Sequence, residues 1–210
     1  PQAAVDMALT FTGTAPAEVS LKAGSGFVTN YDGSLYRYIL KDDNKVSVVN
    51  KVATFTGVPI YEGSQLVSNT VVDTSIKNQR FIIENAGIDT NTLNVRVFQA
   101  ANSSIFTDYK VANNILDIGA SDKVYFINEI EDEKYEIFFG DGVLGKKLED
   151  NNVVQLSYIV TNGTATNGAK TFTFNGLMED ENGTTITLPF AVTSLTASSI
   201  ASGGADIETI

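Results

Sequence analysis

Residues 135–168 constrain this chain more than any other stretch. Tyr135, Ile137 and Phe139 alternate with Glu136 and Phe138, which is the period of a strand with one buried face. The chain then meets Gly140-Asp141-Gly142. Two glycines about an aspartate permit positive φ and close backbone approach, where other residues meet a steric cost. After a basic-then-acidic loop at 146–152 the alternation resumes over 153–160, and Asn162-Gly163 closes it. The segment reads as two strands separated by a shaped connection.

Composition sets the surroundings. With 210 residues the chain can bury a core as one large β-domain or two small ones. Charged residues make up only 19%, while Gly, Asn, Thr and Ser are plentiful, a mix suited to short strands and many turns. A net charge of −11 argues against nucleic acid, which needs clustered Lys and Arg to neutralise phosphates. It argues equally against an anionic membrane surface. Lys146-Lys147 is the one basic pair, and Glu149-Asp150 follows it. The chain has no cysteine, hence no disulfide framework, which is compatible with assembly in a reducing cytoplasm. It also has no histidine, which removes the commonest general base and transition-metal ligand. No apolar run approaches the roughly 20 residues that span a bilayer as a helix.

The ordered set Phe139-Gly140-Asp141-Gly142, Gly145, the strand carrying Tyr158, Thr161-Asn162-Gly163 and Asn167-Gly168 resembles the baseplate J-like family of contractile-tailed phages, in particular the wedge proteins of large myoviruses. A bare FGDG is common in β-hairpins; the full order is considerably more specific. The family usually places a glycine in the turn before the second strand, where Asn151-Asn152 stands here. Asparagine tolerates the left-handed region nearly as well. Upstream, a small-residue turn, Phe27 and an Asp32-Gly33 hairpin extend the resemblance back to about residue 20.

Along the chain, residues 6–12 and 27–40 read as strands, the latter a hairpin on Asp32-Gly33. Residues 46–55 read as one strand, and 58–63 as a short edge segment because Pro59 cannot donate to a ladder. Residues 64–79 are polar and read as a crossing between two domains. Residues 80–84 and 93–98 read as paired strands, 103–108 as the one place for a short helix, and 124–127 as a strand. Residues 171–174 and 184–190 read as further strands, and 198–202 as small and flexible. The expected fold is mainly β with little helix: two small antiparallel β modules of sandwich or meander type. Residues 1–75 form the first, completed by a returning strand within 176–203. Residues 76–175 form the second, a baseplate J-like meander around the FGDG connection. Asp206 and Glu208 suit a helix N-terminus, so 204–210 reads as the start of a truncated following domain.

No enzyme is expected. Without histidine a Ser or Thr nucleophile needs a lysine partner, and no nucleophile elbow, P-loop or dinucleotide fingerprint occurs. Asp141 reads as a turn cap rather than a metal ligand or acid. The acidic runs 129–133 and 179–181 lack the spacing of a calcium loop and read as solvated turns. No cofactor and no metal are expected; the ten motif residues from Phe139 to Gly168 are structural. Two function classes remain. The resemblance implies a structural subunit of a baseplate wedge in the virion tail, assembled in the host cytoplasm. It would be a ring-forming scaffold contacting copies of itself and other wedge proteins, coupling baseplate rearrangement to sheath contraction. The alternative is a receptor- or glycan-binding β module of a tail fibre, marked by exposed aromatics facing a groove.

Overall fold

A computed structural model describes residues 1–77, 79–187 and 190–205. In chain order the strands are β1 (Gln2–Phe11), β2 (Glu18–Leu21), β3 (Gly26–Tyr31), β4 (Ser34–Ile39), β5 (Asn44–Val49), β6 (Val52–Glu62), β7 (Ser64–Val71), β8 (Phe81–Ile83), β9 (Ile88–Phe98), β10 (Phe106–Val111), β11 (Val124–Ile130), β12 (Lys134–Phe139), β13 (Val153–Val160), β14 (Thr173–Phe174), β15 (Met178–Glu179) and β16 (Phe190–Ser202). Two single-turn 3-10 segments, Ile115–Asp117 and Glu131–Glu133, are the helical elements among the described residues. The chain is mainly β with little helix.

It divides into two compact units: Pro1–Gln65 with the chain from Thr161 onward, and Leu66–Val160. These bounds differ from the expected 75 and 175, and packing explains both shifts. β7 pairs with β13 and Val72 joins the core of the second unit. Ala169 and Phe172 join the core of the first, where β14 pairs with β3.

In the first unit β6 is the spine. One edge pairs with β1 from Val52 to Tyr61. The other edge pairs with β5 at Val52 and Ala53 and with β4 at Tyr61 and Glu62. Pro59, opposite Ala4, falls in the stretch between, where that second edge has no ladder to interrupt. The wings carry β3 and β14 beyond β4, and β2 and β15 beyond β5. Alternate residues of β1 (Ala3, Val5, Met7, Leu9, Phe11) meet Phe55, Phe27, Tyr38 and Leu21 in one buried cluster, each Val, Leu, Met and Phe side chain contributing about 1.5–3 kcal/mol by burial. Residues 46–55 are not one strand: Asn50 and Lys51, both at positive φ, turn the chain so that Val49 faces Val52. Asp32 and Gly33 turn β3 into β4 as expected from the Asp-Gly pair.

In the second unit the strand order is β7-β13-β9-β10-β11-β12-β8, with β10 and β11 parallel, so it is not a simple meander. β8 pairs with β12, not with β9, because Phe81 and Ile83 continue the apolar face of Ile137 and Tyr135. The expected crossing at 64–79 contains β7, and the expected helix at 103–108 is a loop that becomes β10 at Phe106. β13 lies five strand spacings from β8, roughly 24 Å in a flat sheet, yet Tyr158 Oη donates to Asn85 Oδ1, just past β8, at 2.7 Å. The sheet is therefore rolled around a single core.

Residues 184–187 form no strand beyond a bridge from Thr185 to Glu179. The returning strand is β16, paired antiparallel with β1; it takes in 198–202, whose backbone pairs whatever the size of the side chains. Asp206 and Glu208 lie outside the described residues.

Candidate interaction site

The glycine connection leaves β12 and returns as β13, strands that are not neighbours in the sheet. Phe139 anchors its start, with its ring edge-on to Phe81 (5.4 Å between centroids) and Tyr109 (5.5 Å). At Gly140 a Cβ would stand 2.3 Å from the carbonyl carbon and oxygen of Gly145, so only glycine fits. The Gly142 N–H donates to the Gly145 carbonyl (3.1 Å), the Gly145 N–H to the Gly119 carbonyl (3.1 Å), and the Lys146 N–H to the Asp122 carbonyl (2.7 Å). The connection is thus stitched to the segment that leads into β11.

Asp141 Oδ1 accepts from the Leu144 N–H (3.0 Å) and the Val143 N–H (2.8 Å). Those donors, Leu144 first, hold its carboxyl below the usual carboxylate range. The side chain closes its own turn. Val143 and Leu144 are presented to solvent at the tip, 72% and 42% exposed. Asn151, where the resembled family has glycine, sits at φ +64°, in the left-handed region.

Beside the connection lies a cleft of about 650 Å³ lined by Phe81, Phe138, Phe139, Asp141, Lys147 and Arg80 among others. Arg80 holds Glu136 through two parallel hydrogen bonds, 2.5 and 2.9 Å, and this pairing keeps the Glu136 carboxyl low. The cleft wall combines aromatic rings with the Arg80–Glu136 pair and further charged side chains, Asp73, Lys77, Asp141 and Lys147.

The rest of the motif sits in the first unit. Asn162 donates its backbone N–H (2.9 Å) and its Nδ2 (2.6 Å) to the two carboxylate oxygens of Glu62. Asn167 clamps the backbone of Gly204, receiving its N–H (3.1 Å) and donating to its carbonyl (2.9 Å). The Asn167 carbonyl accepts from Tyr31 Oη at 2.8 Å. A Cβ on Gly168 would stand 2.7 Å from that same oxygen. Gly163 follows the Asn162 pin, its N–H donating to Thr161 Oγ1. The Phe139–Gly145 residues and Tyr158 therefore serve one unit, and Asn162, Gly163, Asn167 and Gly168 the other.

Sequence reasoning missed Glu62, which is 1% exposed. Its signal was a lone acid ending an alternating run before Gly63. Nearby, Tyr38 is fully buried, its hydroxyl donating to Thr166 Oγ1 at 2.6 Å; burial pushes its pKa up to about 12. The acidic turn at 179–181 serves backbone donors as well. Asp180 Oδ1 accepts from the N–H groups of Asn182 and Thr184, and Glu181 Oε2 from that of Ala17. Among the described residues no three His, Cys, Asp or Glu side chains are grouped to hold a metal ion.

Residues 68–168 match the family model described as bacteriophage baseplate wedge protein gp6, third domain. The matched stretch runs from within β7 to Gly168 and includes every motif residue named above. It supports a baseplate wedge family for this part of the chain. No curated protein matches the chain.

Proposed function

We propose that this chain is part of a structural subunit of a bacteriophage tail baseplate wedge, located in the virion and working through contacts with other baseplate proteins. The observation that carries the reading is the match of residues 68–168 to the third domain of a baseplate wedge protein. The geometry supports it: a stitched glycine connection holds two exposed apolar residues, Val143 and Leu144, at a fixed tip, which is how a scaffold presents a contact with less loop-ordering entropy to lose on binding. In its finer form the reading is a ring-forming, baseplate J-like scaffold that touches copies of itself and helps transmit the rearrangement that releases sheath contraction. The role is not enzymatic; turnover of ester, peptidoglycan or polysaccharide substrates that one Asp or Glu substitution abolishes would overturn that part.

The test is the position of the chain in an electron-microscopy map of an intact particle. Density in the baseplate wedge, against a different baseplate protein, is the expected result. Density at a fibre tip, together with binding in a sugar-array screen, would replace the scaffold with the glycan-binding alternative.

A further inference from the structure

β16 ends its sheet in an unusual way. Among the described residues its one strand partner is β1, and its thirteen residues, Phe190 to Ser202, include no charged side chain and no proline. Natural edge strands are commonly protected by Lys, Pro or irregular pairing. β16 has only the last. Register shifts interrupt its ladder between Val192 and Ser194 and again from Ala197 to Ser202, leaving Ser194 to Ala197 regular.

The side chains on this strand repeat the message of its backbone. Phe190, Val192, Leu195 and Ala197 stand opposite Phe11, Leu9, Met7 and Val5. Cross-strand partners share a face, so these four extend the core face of β1. Phe11 and Leu9 are buried, whereas Phe190 and Val192 remain 36% and 40% exposed. The apolar face of the sheet thus runs one strand beyond its cover, beside an outer edge that, among the described residues, is bonded only near its end, where Ala201 exchanges backbone hydrogen bonds with Gly168 and Ala169.

We infer that β16 is an interface for a second copy of this chain, joined edge to edge as an antiparallel β16–β16 pair about a two-fold axis at Leu195 or Thr196. Such an axis, normal to the sheet, keeps like faces together, so each apolar ledge continues into the other. It also answers the charge problem. Copies carrying −11 each repel wherever carboxylates meet, and β16 offers a contact strand with none. This deepens the self-contact part of the reading above and rests on it only for its place in a particle.

The chain has no cysteine, so single cysteines report pairing cleanly. Leu195→Cys and Thr196→Cys, oxidised separately, should include one that links to its own copy about tenfold faster than Ser34→Cys at an exposed hairpin tip, since opposed Cβ atoms across a ladder lie within disulfide reach. Sedimentation equilibrium of the unmodified chain should show reversible dimers. Thr196→Lys, whose new ammonium has Asp6 opposite it within the monomer, should weaken the dimer about tenfold by placing like charges at the axis, with the melting temperature unchanged at concentrations where the chain is monomeric. A dimer that Thr196→Lys leaves intact, with neither cysteine linking, would overturn this interface while leaving self-contact through another surface. A monomer at every concentration would overturn it as well, without touching the baseplate reading, which the particle map tests separately.

Discussion

Gly140 and Gly145 cross backbone to backbone, with no room between them for a methyl group: a Cβ on Gly140 would stand 2.3 Å from the Gly145 carbonyl. Gly142, two residues on, has positive φ but open space, its nearest neighbour 3.8 Å away. The two glycines of the FGDG run therefore do different work, one steric and one conformational.

Substitution should separate them. Gly140→Ala must push the 144–145 backbone away from the segment before β11, with an expected loss of about 3 kcal/mol or more. Gly142→Ala meets only the left-handed penalty, about 1–2 kcal/mol. Urea titrations of the two variants check the order; equal losses would contradict it.

Asp141 makes the turn sensitive to acid. Its carboxyl is held below the ordinary value of 3.8 by the Leu144 and Val143 N–H groups. Its contribution is therefore complete above that value and falls away as pH drops through the lower, folded pKa. Asp141→Asn keeps an acceptor and removes the charge, so it should flatten the acid limb of the melting profile by lowering the melting temperature at pH 7, with parent and variant converging in acid. A carboxyl resonance titrating at or above 3.8 would contradict the cap.

Glu62 should be a sensitive position of the first unit. In Glu62→Gln one carboxylate oxygen becomes an NH₂ facing Asn162 Nδ2 or N–H, leaving a buried donor without an acceptor, an expected loss of about 1–3 kcal/mol. Thermal melts should show it; a variant as stable as the parent would mean that Asn162 readily finds another partner.

The rolled sheet can be tested at Tyr158. Tyr158→Phe removes only the bond to Asn85, an expected loss of about 1 kcal/mol. Hydrogen exchange near 81–85 should rise in that variant if the bond draws the two ends of the sheet together.

Calcium and EDTA should leave the melting temperature unchanged, because the 179–181 turn spends its oxygens on backbone donors, the described acids form no group of three that could hold a metal, and a metal stabilises only where it binds the folded state. A calcium-dependent rise of several degrees would overturn this.

Alternation alone determined much of this molecule. Residues 135–139 and 153–160 are β12 and β13, the Asp32-Gly33 pair is a hairpin, and Asp141 is a turn cap, because each follows from chemistry within a few residues. Turns without glycine escaped: Asn50 suits left-handed backbone, but Lys51 beside it adopts the same conformation with no residue type to announce it. Which strands become neighbours belongs to tertiary structure. β8 joins β12 across more than fifty residues, and β12 and β13, adjacent in sequence, are separated in the sheet. Partner choice is decided by which apolar faces can share one core, a sum over distant residues that local period does not carry. The same holds for the NG…NG run. Its sequence marks turns, but only the packed first unit brings Asn162 to Glu62, and Asn167 to Gly204, because those contacts form between segments that meet only after the chain has folded.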